Sequence, residues 1–327
     1  MIIDSHCHVI VGEMTAGQVP EQWRPAVSRA GGQYRLRFRG REINSVTSEF
    51  TDIAAMLGQA ATTGVDHLLL SPWINLVPVD AGPADARLVC QVQNDALAAA
   101  AAFPGRVTAL GAVPLQDPAE AARMLPGLMA TPGLCGVEVP GSVGGRYLGD
   151  DVFAPFWAAA EAAGALVFIH PASQGLGMPA LAGYYLWNSV GNPLETAVTA
   201  ADIVVSGVLE RHPGLRVLLA HGGGALPVVR GRLRRAFAVR PEARAGTRAG
   251  PDESLRRFYY DTVTHDQDLL AGLVGYAGAG QVLLGSDRPF DMGTDRPVDE
   301  VRALGLGAGE DLVLGGNAAR LLGIEGG

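Results

Sequence analysis

The chain has 327 residues, 48% of them hydrophobic, with a formal net charge of −8. That length allows one large domain or two small ones, and the acidic balance argues against nucleic acid or an anionic membrane as partner. All 25 basic residues are arginine, which excludes a Schiff-base lysine, a lysine nucleophile and a carbamylated lysine bridging two metal ions.

No apolar run is long enough to cross a bilayer, and no cleavable signal precedes Asp4. Three scattered cysteines (Cys7, Cys90, Cys135) speak against a disulfide framework. The expectation is a cytoplasmic protein.

The first stretch, Met1 to Ile10, reads as a buried strand. Side chains alternate along a strand, so the pattern predicts Asp4, His6 and His8 on one face and Ile3, Ser5 and Cys7 on the other. Two imidazoles spaced two apart can reach a single ion, or simply hydrogen-bond to neighbours at a strand end. Residues 9–50 resist a simple βα reading and are expected to form an insertion. Within it, arginine recurs every second residue from Tyr34 to Arg41, which predicts an extended segment with a basic, solvated face.

A helix is expected from Asp52 to about Thr63, ended by Gly64, then a second strand over Val65–Pro72. An alanine-rich helix (about Ala84 to Phe103) leads to a third strand, Val107–Val113, and a helix over Pro118–Met129. The fourth strand is Leu134–Val139. After a helix over Phe153–Ala163 comes the fifth, Ala165–His170. A loop, Pro171 to Asn192, precedes a helix to about Glu210 and a sixth strand, Leu215–His221. Gly222-Gly223-Gly224 and an arginine-rich helix follow. Phe258–Thr262 and Gln281–Asp287 complete the strands, with a helix near Gln267 to Tyr276 between them and helical segments (Val298–Leu304, Glu310–Leu322) after.

Eight short apolar strands alternating with helices predict a parallel sheet, and eight is the count that closes into a (β/α)8 TIM barrel. Residues 1–327 are expected to be a single barrel domain. Active sites of such barrels lie at the C-terminal ends of the strands. Four of the seven histidines fall there: His6, His8, His170 and His221, together with Asp287. Residues so scattered in the chain yet converging on one rim are what a metal site needs.

His-x-His on the first strand, His170 ending the fifth, Ala220-His221-Gly222-Gly223-Gly224 and Gly285-Ser286-Asp287-Arg288-Pro289-Phe290 resemble the amidohydrolase superfamily. The resemblance is to the branch of aminocarboxymuconate-semialdehyde decarboxylase and gamma-resorcylate decarboxylase. It extends to Tyr260-Asp261-Thr262-Val263-Thr264-His265-Asp266 and to Gly316-Asn317-Ala318-Ala319-Arg320-Leu321.

It implies one zinc, or another divalent ion, held by His6, His8, His170 and Asp287, with His221 close by as acid/base. Three imidazoles and a carboxylate suit Zn²⁺. It also implies that Arg39 holds the substrate carboxylate and that Arg232 reaches into a second subunit's site, hence a homodimer. Two positions depart from the branch. Arg288 stands where those decarboxylases usually have tyrosine, and can recognise a second anionic group or pair with one of the chain's own acids. Glu138, ending the fourth strand, can orient a ligand or hydrogen-bond the substrate.

The leading expectation is metal-dependent, non-oxidative decarboxylation of an unsaturated or aromatic carboxylic acid, with His221 or Asp287 delivering the proton. Hydrolysis of a lactone, amide or imine, or hydration, uses the same residue types. A non-catalytic carboxylate-binding barrel is the third reading.

Overall fold

The computed structural model describes residues 1–324 apart from 31–32, 44, 47–49, 101–102, 104 and 173–175. The elements begin with β1 (Ile3–Val9), α1 (Gly12–Thr15), β2 (Ala26–Ala30), β3 (Gln33–Phe38), β4 (Arg41–Ile43), α2 (Ile53–Thr62) and β5 (His67–Pro72). Next come α3 (Pro83–Ala99), β6 (Val107–Ala112), α4 (Pro118–Met129), β7 (Leu134–Pro140), β8 (Ser142–Val143), β9 (Arg146–Tyr147), α5 (Ala154–Ala163) and β10 (Leu166–His170). The chain continues through α6 (Asn192–Val205), α7 (Val208–Arg211), β11 (Arg216–Leu219), α8 (Leu226–Val239), α9 (Pro251–Leu255) and β12 (Tyr259–Asp261). It ends with α10 (Gln267–Ala277), β13 (Val282–Leu283), α11 (Pro297–Arg302) and α12 (Asn317–Leu322).

Eight parallel strands form one sheet in the order β1-β5-β6-β7-β10-β11-β12-β13, with helices between them. This is the expected (β/α)8 TIM barrel. Helix starts follow side-chain capping: Asp52, Asp117 and Asp266 accept from Ala55 N, Glu120 N and Leu269 N. Gly207, at φ 80°, breaks the helix expected to run to Glu210 into α6 and α7. The far end of the alanine-rich helix (101, 102 and Pro104) lies outside the described residues.

The last strand is shorter than expected because the chain beyond Leu283 turns its backbone bonds to β1. Ser5 N donates to Leu284 O and His8 N to Arg288 O, both at 2.8 Å. Asp287 N donates to His6 O at 2.7 Å. First and last strands thereby meet at a seam.

A β-bulge in β1 corrects the simple alternation expected there. Asp4 pairs with Leu68 but Cys7 with Leu70, so one extra residue sits between them on β1. The bulge turns His6 and His8 inward while leaving Asp4 on the outer side with Cys7. There both line a small cavity with Met56 and Ala60 of α2, Ser286 and Arg288. Asp4 fastens the seam: its carboxylate accepts from Ser286 N (3.0 Å), Ser286 Oγ (2.5 Å) and His6 N (3.1 Å). Burial pushes its pKa up to about 6.

The lower barrel interior is apolar, built by Ile3, Leu69, Leu110, Leu166, Phe168, Leu218 and Leu283, with Ala318 and Leu321 of α12 beneath. Between β1 and α2, strands β2, β3 and β4 form a three-stranded antiparallel sheet. Arg35, Arg37 and Arg39 are exposed while Leu36 and Phe38 are buried, which is the period-two pattern the sequence carries. Ring contacts run from this sheet to the barrel mouth: Phe38 on Trp73, Trp73 on Phe50, Phe50 on Phe290, and Phe290 on His8 at 5.5 Å.

Candidate metal centre

Five groups converge at the C-terminal ends of the strands. His6 Nε2 lies 3.2 Å from His8 Nε2, and Asp287 Oδ1 lies 3.4 Å from the first and 3.3 Å from the second. His170 stacks edge-on against both, at ring separations of 5.2 and 4.8 Å. His221 Nε2 lies 3.3 Å from Asp287 Oδ2. Donor atoms of His6, His170, His221 and Asp287 all lie within 4.8 Å of one another, so His221 stands as close as the groups read as ligands.

The backbone displays these groups through unusual local geometry. His221 and Asp287 are non-glycine residues at φ 56° and 58°, a left-handed conformation that persists only where the surroundings over-determine it. His221 leaves the strand in a turn whose glycines are required by space. A Cβ on Gly224 would sit 2.2 Å from Pro193 O.

The donor chemistry fits a divalent cation. Each of three imidazoles has its Nδ1 engaged: His6 by Asp261 Oδ2 at 2.6 Å, His8 by Ser71 Oγ at 3.0 Å, His170 by Pro171 O at 3.0 Å. Nδ1–H therefore donates outward and the Nε2 lone pairs face the centre. His170 Nε2 is buried with no hydrogen-bond partner among the described residues, an orphaned acceptor aimed at the others.

Electrostatics separate the members. Burial pushes His8 below the usual imidazole range, and His170 well below it, where the neighbouring histidines add to the effect. Both are thus neutral and ligand-ready. Burial works against charge on His6 too, but Asp287 and Asp261 outweigh it and raise its pKa to about 10. Burial would lift Asp287, yet the His6 charge beside it and the facing His221 imidazole hold it well below the carboxylate range. A divalent ion bound here would take the place of the His6 proton.

The other candidates divide. Glu138 is brought in: it is fully buried, its Oε1 is 3.8 Å from His8 Nδ1, and neither oxygen has a hydrogen-bond partner among the described residues. Burial raises its pKa well above normal. Arg288 is not brought in. Asp287 lies beyond the last strand with a left-handed backbone, and the Arg288 side chain after it turns outward, donating to Thr294 O and pairing with Asp295 at 2.9 Å. Arg39 is likewise engaged elsewhere, bonded to Asp80 at 2.7 and 3.1 Å and stacked over Trp23 at 3.9 Å. Arg232 lies exposed on α8. Sequence reasoning missed Asp261, the last residue of the seventh barrel strand; the strand-end rule that found the histidines applies to it equally.

Comparison with known proteins gives the same scaffold. The chain is 31% identical to 2-amino-3-carboxymuconate-6-semialdehyde decarboxylase of Dictyostelium discoideum over 296 residues, covering 89% of this chain and 82% of that one. It is 28% identical to a gamma-resorcylate decarboxylase from a Rhizobium species, covering 80% and 84% of the two chains. Among solved structures, a dihydroxybenzoic acid decarboxylase from a Polaromonas species, with bound manganese and 2-nitroresorcinol, superposes with a TM-score of 0.81 at 22% identity, covering 100% of this chain and 98% of that one. A profile of the amidohydrolase family matches residues 3–324, and the chain belongs to that family, in the branch that holds these decarboxylases.

Proposed function

We propose that the protein is a metal-dependent, non-oxidative decarboxylase of an aromatic or unsaturated carboxylic acid. The observation that carries this reading is the convergence of His6, His8, His170 and Asp287 with three Nδ1 atoms tied back. The reactions named for its relatives add support. In this proposal those four residues hold one divalent ion, zinc or the manganese of the Polaromonas relative. Such an ion supplies Lewis acidity that polarises a substrate oxygen.

The chain's own groups do the rest. His221, beside Asp287, gives a proton to the carbon that bears the carboxylate. The carbon–carbon bond then breaks, its electron pair returns to the ring or diene, and carbon dioxide leaves. Asp287 orients His221, and Phe290 beside His8 offers an apolar face to the substrate. Arg232, exposed on the helix after the His221 turn, serves the site of a second copy in a proposed homodimer. Arg39 meets a substrate carboxylate only by exchanging its bond to Asp80.

The test is carbon dioxide release and loss of ultraviolet absorbance on a panel of hydroxybenzoates and muconate-type acids, before and after metal stripping. Turnover restored by Zn²⁺ or Mn²⁺ supports the reading. Full activity after stripping, or cleavage of lactones without carbon dioxide, ends it. His221→Ala should retain the ion while kcat falls by about 10²–10⁴-fold.

A further inference from the structure

Asp261 is fully buried at the end of β12, and its carboxylate accepts four hydrogen bonds. Oδ2 takes His6 Nδ1–H at 2.6 Å and His221 N–H at 2.9 Å; Oδ1 takes Gly222 N–H at 2.7 Å and Val263 N–H at 3.0 Å. One side chain thus grips a metal-facing imidazole from the first barrel strand and the turn that displays His221 after the sixth. The turn needs such a grip, because His221 and Gly222 both sit at positive φ (56° and 61°). The grip is long-range: Asp261 lies 40 positions from His221 and 255 from His6.

We propose that Asp261 is the positioning residue of the site, fixing the Nδ1–H form of His6 and locking the His221 turn, so that ion affinity and His221 placement depend on one carboxylate. This rests on the metal reading above. The chemistry is specific to an anion. Only a carboxylate offers acceptor lone pairs to all four donors; an amide must turn an N–H₂ toward one side and face two donors with a donor. A charged acceptor also strengthens the Nδ1–H bond and makes Nε2 the better electron donor.

The experiment compares Asp261→Asn with the wild type and with Asn317→Ala. The latter removes a buried amide that holds the Ala279 and Val282 carbonyls, away from the site. Calorimetric titration of stripped protein with Zn²⁺ measures affinity. Proton NMR of free and zinc-loaded protein follows the low-field His6 Nδ1–H resonance, assigned by its loss in His6→Gln. Amide exchange reports the His221 and Gly222 N–H groups.

Asp261→Asn should weaken zinc about 10–100-fold, move the Nδ1–H resonance upfield and speed exchange at both amides, while Asn317→Ala does none of these. Unchanged affinity and resonance in Asp261→Asn overturn the proposal, as does an equal loss of affinity in Asn317→Ala. Should Asp261→Asn not fold, the wild type decides: absence of the low-field signal overturns the assignment and its presence upholds it. A wild type that binds no zinc or manganese sinks the metal reading, and the His6 resonance then judges Asp261 by itself.

Discussion

The barrel interior has two storeys that share the same strands and differ in chemistry. Along β10 the inward positions climb from Leu166 through Phe168 to His170. Below Phe168 the interior is aliphatic; above it stand His6, His8, Glu138, His170 and Asp287, all buried. Phe168 is the boundary, its ring 4.9 Å from His6 and 5.8 Å from His170. Burying each lower side chain contributes about 1.5–3 kcal/mol, whereas burial penalises every charge held above. The contrast teaches that stability and chemistry are separated by height, with the lower storey offsetting what the upper one costs.

The sharpest way to break that contrast is Asp287→Ala. It should abolish ion binding and carbon dioxide release, measured on stripped and reloaded protein, while the melting temperature of the stripped protein falls by less than in a lower-storey truncation, because His6 loses the Asp287 charge but keeps Asp261. A fall in melting temperature matching a lower-storey change would erase the distinction. Phe168→Ala should lose about 3–5 kcal/mol in urea unfolding, a deficit that reading the upper storey alone would not predict.

A smaller effect, set by pH, tests whether burial also taxes carboxylates beside the mouth. Glu195 on α6 accepts from Ser142 Oγ, and burial raises its pKa to about 7. The raised value means the folded state favours the protonated form. That contribution is complete below the ordinary value of 4.5 and is lost as pH climbs through 7. Glu195→Gln should therefore be more stable than the wild type at pH 8, by about 2–3 kcal/mol, and no more stable at pH 4. Smallest is Asp295→Asn at the exposed Arg288 pair. It should cost about 0–1 kcal/mol and leave KM unchanged; a raised KM would mean that Arg288 serves the substrate after all.

The sequence carries the architecture because a parallel barrel buries both faces of each strand, so its strands stand out as apolar runs, and because its chemistry gathers at strand ends. His170 and Asp287 are legible for that reason. The bulge in β1 is not: one extra residue reverses the face of Asp4, and nothing in Ile3-Asp4-Ser5-His6 marks it. Its cause is long-range, in the bonds that Ser286 makes to Asp4. The Arg39–Asp80 pair is hidden likewise, because it joins a hairpin turn to the approach to α3. His221 lies beyond its strand because three glycines let the chain fold sharply, a geometry that composition suggests but does not orient.

The seam between β1 and the segment after β13 has a temporal consequence. Asp4 and Ser286 are 282 positions apart, and the proposed ion-holding groups lie on both sides of their junction. A ribosome must therefore deliver the chain as far as Asp287 before these groups can meet. Until then the amino-terminal imidazoles lack their carboxylate counterpart, so an ion held as proposed would be captured only once the ring has closed.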